Sequence, residues 1–167
     1  MKWTAAILAG LAAGALATIL EIVLWLLFTD ALPGIFFRDA RFAAAIVMGP
    51  SVLSPTAGLD WRMLLVATIV HFDLSVVYGL ILCAMIWRLH MLSSLVVGAF
   101  FGVLLYVLNM YGFTAAFPWF AATRDWITFV AHLTFAMTAA GTYRVLAKTI
   151  ARRSSNQRSR PAPMGRS

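Results

Sequence analysis

The chain has 167 residues, of which 62% are hydrophobic and only 11% are charged. Soluble domains carry about 45–50% apolar and about 25% charged residues, so this composition excludes an ordinary water-soluble domain. The net charge of +7 would suit a nucleic-acid-binding protein, but its placement along the chain follows predicted membrane boundaries. We therefore expect the lipid bilayer, and no nucleic acid, as a partner.

Four apolar segments follow one another along the chain, at about 5–28, 63–87, 92–113 and 126–147. Each has the roughly 20 residues that a helix needs to cross about 30 Å of hydrocarbon. Lipid offers the backbone no hydrogen bonds, so spanning segments of this length must be helices. The sequence predicts an all-α membrane protein, a four-transmembrane-helix bundle that forms a single domain over residues 1–147.

The first segment raises one alternative, because its small residues up to Ala17 would suit a cleaved secretory signal. The apolar run continues to Phe28 without a break. An uncleaved first transmembrane helix is therefore the prediction.

Basic residues predict the orientation of the bundle. Nine of the thirteen lysines and arginines fall on one side of the predicted membrane, and that side carries no acid: Lys2, Arg88, Arg144, Lys148, Arg152, Arg153, Arg158, Arg160 and Arg166. The positive-inside rule places this side in the cytoplasm. We expect a multi-pass protein of the cell inner membrane with its N-terminus and C-terminus both cytoplasmic.

Two segments outside the predicted spans have distinct characters. Residues 148–167 are basic and lack apolar periodicity, which predicts a disordered cytoplasmic tail that contacts anionic lipid, with RNA binding as the alternative. The outer loop contains an apolar stretch, Phe42–Val47, that is too short to span and is expected to be interfacial or re-entrant. The neighbours Arg38 with Asp39 and Arg124 with Asp125 are expected to form helix caps or ion pairs at the outer surface.

An internal repeat relates the two halves of the chain. The spacing of Gly10, Gly14 and Glu21 in the first segment recurs 88 residues later as Gly98, Gly102 and Asn109 in the third. This recurrence predicts two helical hairpins in parallel orientation. Glycines four residues apart let helix backbones approach closely, so we expect these pairs to join the first and third helices or two copies of the protein.

Polar side chains inside the spans are the candidate site, because ionisable groups in hydrocarbon are costly and need partners. Four of them, Glu21, His71, Asn109 and His132, lie at similar predicted depths, roughly 6–15 Å below the outer surface. Tyr78 shares the helix face of His71, whereas Asp73 points about 200° away from His71 and is expected to reach a neighbouring copy or the water boundary.

Three roles are open for this polar layer. It can be a static hydrogen-bonded network that pairs Glu21 with a histidine and Asn109 with a tyrosine. It can handle protons or ions, since histidine titrates near neutral pH. His71 and His132 could also ligate a haem axially, but no metal motif accompanies them, and we expect no cofactor, no metal and no enzymatic activity.

Short motifs give the chain a family resemblance. They are the Gly-rich first helix that ends in Glu21, FFRDAR at Phe36–Arg41, VHF at Val70–Phe72, and YGFT and FPWF between Tyr111 and Phe120. The chain resembles small uncharacterised proteobacterial inner-membrane proteins of the YagU-like type, some of which carry the label sodium:proline symporter. The resemblance implies an inner-membrane location and transfers no site.

A symporter of the kind named in that label uses ten or more helices with broken spans, whereas four are predicted here. Transport by so short a chain therefore implies a homo-oligomer. The sequence favours small-solute or ion transport or sensing by such an oligomer. The alternative is a membrane scaffold or accessory subunit without catalytic activity.

Overall fold

A computed structural model describes residues 1–55 and 59–158, with side chains described up to Arg152. The described residues form helices and connecting turns, and contain no strand. The α-helices are α1 (Trp3–Phe28), α2 (Gly34–Met48), α3 (Trp61–Ile86), α4 (Met91–Val107) and α5 (Trp126–Arg158). Between α4 and α5 the chain forms a π turn, Leu108–Gly112, and then two short 3-10 helices, Phe113–Ala115 and Pro118–Thr123.

Three of these helical segments are long and apolar enough to cross a membrane: Trp3–Phe28, Trp61–Ile86 and Met91–Ala115. They match the first three predicted spans and are compatible with a multi-pass membrane protein. The fourth predicted span, within α5, is not among the helices of the described chain that pass this test. Its apolar run is interrupted by His132 and by several threonines, so length and hydropathy do not establish a fourth crossing.

Packing places α5 at the centre of the bundle. It runs antiparallel to α1 along the full length of that helix: the backbone N–H of Lys2 donates to the Tyr143 hydroxyl at one end (3.4 Å), and Phe28 stacks edge-to-face on Trp126 at the other (5.3 Å). α4 also packs on α5, and α3 packs on α1. Alanines fill much of the shared core, which lets these helices approach closely.

The four predicted glycines lie at close helix contacts, although not between the helices that we expected. A Cβ added at Gly10 would stand 2.6 Å from the Ser75 carbonyl oxygen of α3. One added at Gly102 would stand 2.8 Å from Leu133 Cα of α5. The expected partnership of the first and third predicted helices is therefore replaced by one glycine pair within each hairpin, Gly10 and Gly14 against α3, and Gly98 and Gly102 against α5.

The long outer loop folds as a helix. α2 covers the predicted apolar stretch and packs on the first half of α3, where Ala44 lies against Met63 and Ala67. It ends at Gly49, whose φ of 84° is in the left-handed region that favours glycine. With 15 residues, α2 is shorter than the roughly 20 residues that a transmembrane helix requires.

The two ends of the bundle differ in charge. The end at which α1 and α4 begin carries Lys2, Arg88, Arg144 and Lys148 and is called the basic end. The opposite end, which α2 covers, is called the loop end.

At the basic end α5 continues past the predicted limit of 147 to Arg158, so residues 148–158 are helical where we predicted disorder. This segment contains alanine, lysine and arginine residues, which are good helix formers, and it contains no proline or glycine. The last predicted tail residues, 159–167, lie outside the described part.

Candidate functional site

A cavity of about 230 Å³ lies between α1, α3, α4 and α5 near the loop end. α2 and the 3-10 helix Pro118–Thr123 cover it, and the Trp119 indole N–H donates to the Phe42 carbonyl of α2 (3.1 Å) to hold this cover together. Most of the wall is apolar. Its polar side chains are Thr18, Glu21, Asp39, His71, Ser75, Tyr78, Asn109, Thr123, Thr128 and His132.

A chain of hydrogen bonds joins three helical segments on one side of the cavity. The Tyr78 hydroxyl of α3 donates to Asn109 Oδ1 at 2.8 Å, and Asn109 Nδ2 lies 3.1 Å from His132 Nε2 of α5. His132 Nδ1 lies 2.8 Å from the Thr128 carbonyl oxygen. Asn109 belongs to the π turn, an irregularity that is frequent at functional sites.

The directions of these bonds fix the form of His132. A carbonyl oxygen can only accept, so Nδ1 carries the proton that is donated to Thr128. In a neutral imidazole Nε2 then accepts, and the amide group of Asn109 is the matching donor. Every member of this chain therefore has a partner of the correct type.

The second histidine contacts α1. His71 Nε2 lies 3.1 Å from the Thr18 hydroxyl and 3.4 Å from the Gly14 carbonyl oxygen. Ser75, one turn further along α3, donates its hydroxyl to the His71 carbonyl (2.8 Å). The absence of a side chain at Gly14 creates the space for this contact, since a Cβ there would stand 2.5 Å from Ser75 Oγ.

Glu21 is the least satisfied polar group of the cavity. Its Oε1 receives a hydrogen bond from the Thr128 hydroxyl, and at 3.4 Å this bond is long. No histidine donates to Glu21 among the described side chains, in contrast to the pairing that we expected, whereas the expected bond of Asn109 to a tyrosine is present. A carboxylate can accept about four hydrogen bonds, so Glu21 has free acceptor capacity in the cavity.

A second carboxylate, Asp39, reaches the cavity from α2. Arg38 Nε donates to Asp39 Oδ1 at 2.7 Å. Burial raises the pKa of Asp39 above its ordinary value, and the neighbouring Arg38 opposes this shift. Two carboxyl groups, from α1 and α2, therefore line the same space.

Asp73 lies away from the cavity. It is exposed on the outer face of α3, 12 residues after Trp61 and 13 before Ile86, and thus at the middle of this apolar helix. The structure thus brings five of the six predicted site residues to one cavity and leaves this one outside it. Glu21, His71, Tyr78, Asn109 and His132 meet within one chain and need no second copy to do so.

The two predicted outer-loop pairs differ. Arg38 and Asp39 form an ion pair. Asp125 instead caps α5 by accepting a hydrogen bond from the Thr128 backbone N–H (2.8 Å), and Arg124 donates to the Met110 carbonyl (2.8 Å). Arg124 thereby holds the π turn, and with it Asn109, in place.

Haem ligation through the Nε2 atoms of the two histidines would displace existing bonds. His71 Nε2 is hydrogen-bonded to the Thr18 hydroxyl of α1, and His132 Nε2 is hydrogen-bonded to the Asn109 amide of the π turn. Among the described residues no group of three or more histidine, cysteine, aspartate or glutamate side chains is arranged to hold a metal ion.

Two threonines that anchor the site were not among the predicted site residues. Thr18 lies three residues before Glu21 on α1, and Thr128 lies four residues before His132 on α5. Residues three or four apart share a helix face, and this spacing is the signal that could have found them.

No protein family, curated protein or solved structure matches the chain.

Proposed function

We propose that the cavity binds a small solute or ion, and that the protein transports or senses it in a membrane. The observation that carries this proposal is Glu21, a carboxylate with one long hydrogen bond that lines a cavity together with Asp39. Carboxylates enclosed by apolar walls favour a solute with a positive charge or several N–H donors. His71 and Tyr78 face the same space and can take part in binding.

Reconstitution into liposomes tests this proposal. The probes are protons, sodium and methylammonium, each applied as a gradient across vesicles that contain the full chain. We expect flux of at least one probe above that of empty vesicles, and its loss in the double variant Glu21→Ala/His71→Ala. Thr149→Ala, a substitution of an exposed polar residue outside the cavity, is the control. Equal flux through wild type and the double variant would remove the cavity from the mechanism.

The second candidate function is that of a scaffold or accessory subunit. It is favoured by the fully partnered chain Tyr78–Asn109–His132–Thr128, which joins α3, the π turn and α5 and resembles interhelical packing. On this proposal Glu21→Gln and His132→Gln lower the melting temperature in detergent or disturb assembly. If both variants melt and assemble as wild type but lose a cellular phenotype, the scaffold role is refuted.

We propose four membrane crossings, with both termini in the cytoplasm of a cell with an inner membrane. The support is the antiparallel packing of α5 along the whole length of α1, together with the nine basic residues predicted on the cytoplasmic side. A reporter fused after Ser167 should be active only in the cytoplasm, and one inserted near Ser54 only outside. A C-terminal reporter found outside would contradict the fourth crossing. If all four crossings are present, two hairpins in parallel orientation, α1 with α3 and α4 with α5, make up the bundle.

We also propose that the protein is a homo-oligomer and that the outer face of α3 joins the copies. The supporting feature is Asp73, since a carboxyl group exposed at the middle of a spanning helix is costly unless it is neutral or partnered. Identical residues meet at equal depth across a two-fold axis along the membrane normal. Two Asp73 carboxyl groups could then share protons and hydrogen-bond to each other.

A further inference from the structure

A second site lies at the basic end, far from the cavity just described. A groove of about 480 Å³ opens between the start of α4 and the middle of α5, around residues 144–148. Its walls are formed by His90, Met91, Arg144, Ala147 and Lys148. Three of these five residues carry nitrogen donors, so the groove is suited to an anion.

The two cationic side chains are positioned by α5. Arg144 and Lys148 are four residues apart, and residues with this spacing are neighbours on one face of a helix. Arg144 Nη1 donates to the Trp87 carbonyl at 3.1 Å, which fixes the guanidinium group beside the groove and uses one of its five donors. No acidic residue of the described chain lies at this end of the bundle, so the positive charge is not neutralised from within.

The Trp87 indole places the groove at the depth of lipid headgroups. Trp87 follows the last residue of α3, and the Arg88 guanidinium lies 4.2 Å from the centroid of its ring. Tryptophan concentrates at membrane–water interfaces. Exposed apolar side chains lie on the same parts of α4 and α5 as the groove, where Leu92 is 74%, Val96 49% and Val145 55% exposed.

These features together match one chemistry, a phosphate group attached to apolar chains. We infer that the groove binds the headgroup phosphate of an anionic phospholipid, with Arg144 and Lys148 contacting the phosphate oxygens. The acyl chains then lie along the exposed faces of α4 and α5. Basic pockets between transmembrane helices are suited to such headgroups, and arginine also contacts phosphate through paired N–H donors. This site is independent of the proposed solute cavity.

Titration of the delipidated full chain in detergent tests the inference. The probes are short-chain phosphatidylglycerol, short-chain phosphatidylcholine and inorganic phosphate, and the readout is the dissociation constant from native mass spectrometry. We expect phosphatidylglycerol to bind more tightly than the other two. Arg144→Gln/Lys148→Gln should weaken its binding by roughly tenfold or more.

The matched control is Lys2→Gln/Arg88→Gln, which removes two positive charges from the same end but outside the groove. It should leave the dissociation constant nearly unchanged. Because Arg144→Gln also removes the bond to Trp87, His90→Asn/Lys148→Gln serves as a second variant that keeps Arg144, and it should weaken binding as well. Equal weakening by the control would show a diffuse charge effect and overturn the site. Phosphatidylcholine or inorganic phosphate binding as tightly as phosphatidylglycerol would overturn the anionic lipid as its ligand.

Discussion

Gly10→Ala is the substitution whose outcome follows most directly from the geometry. The alanine Cβ would stand 2.6 Å from the Ser75 carbonyl oxygen and 3.1 Å from Val76 Cα, both of which are backbone atoms of α3. Backbone atoms cannot rotate away as a flexible side chain can. The whole of α3 must therefore move away from α1 by several tenths of an ångström or more.

Two effects of opposite sign set the magnitude. Alanine is favoured over glycine inside a helix by about 1 kcal/mol. Overpacking of a close contact costs about 1–3 kcal/mol, and a backbone clash is expected at the upper part of this range. The net loss of unfolding free energy is therefore about 1–2 kcal/mol, which for a chain of this length lowers the melting temperature by about 2–8 °C.

Gly141→Ala is the matched control, because a Cβ at Gly141 would meet only Leu95 Cδ2, at an ordinary contact distance of 3.7 Å. The control should melt at the same temperature as wild type or higher, since it gains helix propensity without a clash. Melting is followed by tryptophan fluorescence in detergent. If Gly10→Ala melts at or above the temperature of Gly141→Ala, α1 and α3 are not packed as described.

Three further predictions concern polar groups. Tyr78→Phe should lower the unfolding free energy by about 0.6 kcal/mol and at most about 1.7 kcal/mol, as is usual for interhelical bonds in membranes; strict additivity with Asn109→Leu would show that the two residues do not interact. Asp73→Leu should weaken self-association measured by energy transfer between labelled copies, and unchanged transfer would refute the α3 interface. Burial raises the pKa of Asp39 above its ordinary value of 3.8. The contribution of the protonated carboxyl group to the free energy of unfolding is therefore complete below pH 3.8 and is lost as the pH rises through the raised pKa. Asp39→Asn should flatten this dependence of the melting temperature on pH, and an unchanged slope would contradict it.

Helix positions were largely predictable from the sequence. α5 begins at Trp126, where we placed the fourth segment, because Asp125 precedes an apolar run and supplies its cap. The predicted first and third segments likewise match α1 and the helical segment that begins at Met91. Long apolar runs and capping residues are local signals, so a single sequence can reveal them.

Partners across the bundle were not predictable in the same way. The depth of Glu21 and His71 could be counted along each helix, but the rotation and order of the helices decide which groups meet. The glycine pairs illustrate this, since their spacing predicts a close helix contact but does not identify the second helix. Nor did any local pattern indicate that α2 would fold back and bring Asp39 into the cavity.

The polar groups of the cavity differ in how completely their donors and acceptors are paired. A group that serves only to hold helices together should have its donors and acceptors paired, because unpaired polar groups in hydrocarbon are costly. Tyr78, Asn109 and His132 meet this condition, and packing alone explains them. Glu21 does not, since its long bond from Thr128 satisfies only part of a carboxylate.

On the proposal that the cavity binds a small solute or ion, that ligand uses the remaining acceptor capacity of Glu21. Glu21→Gln separates the two roles, because the amide keeps the shape of the side chain and removes its charge. A purely structural Glu21 predicts that this variant melts at a lower temperature or assembles poorly and that flux is unaffected. A binding Glu21 predicts that stability is retained while flux is lost.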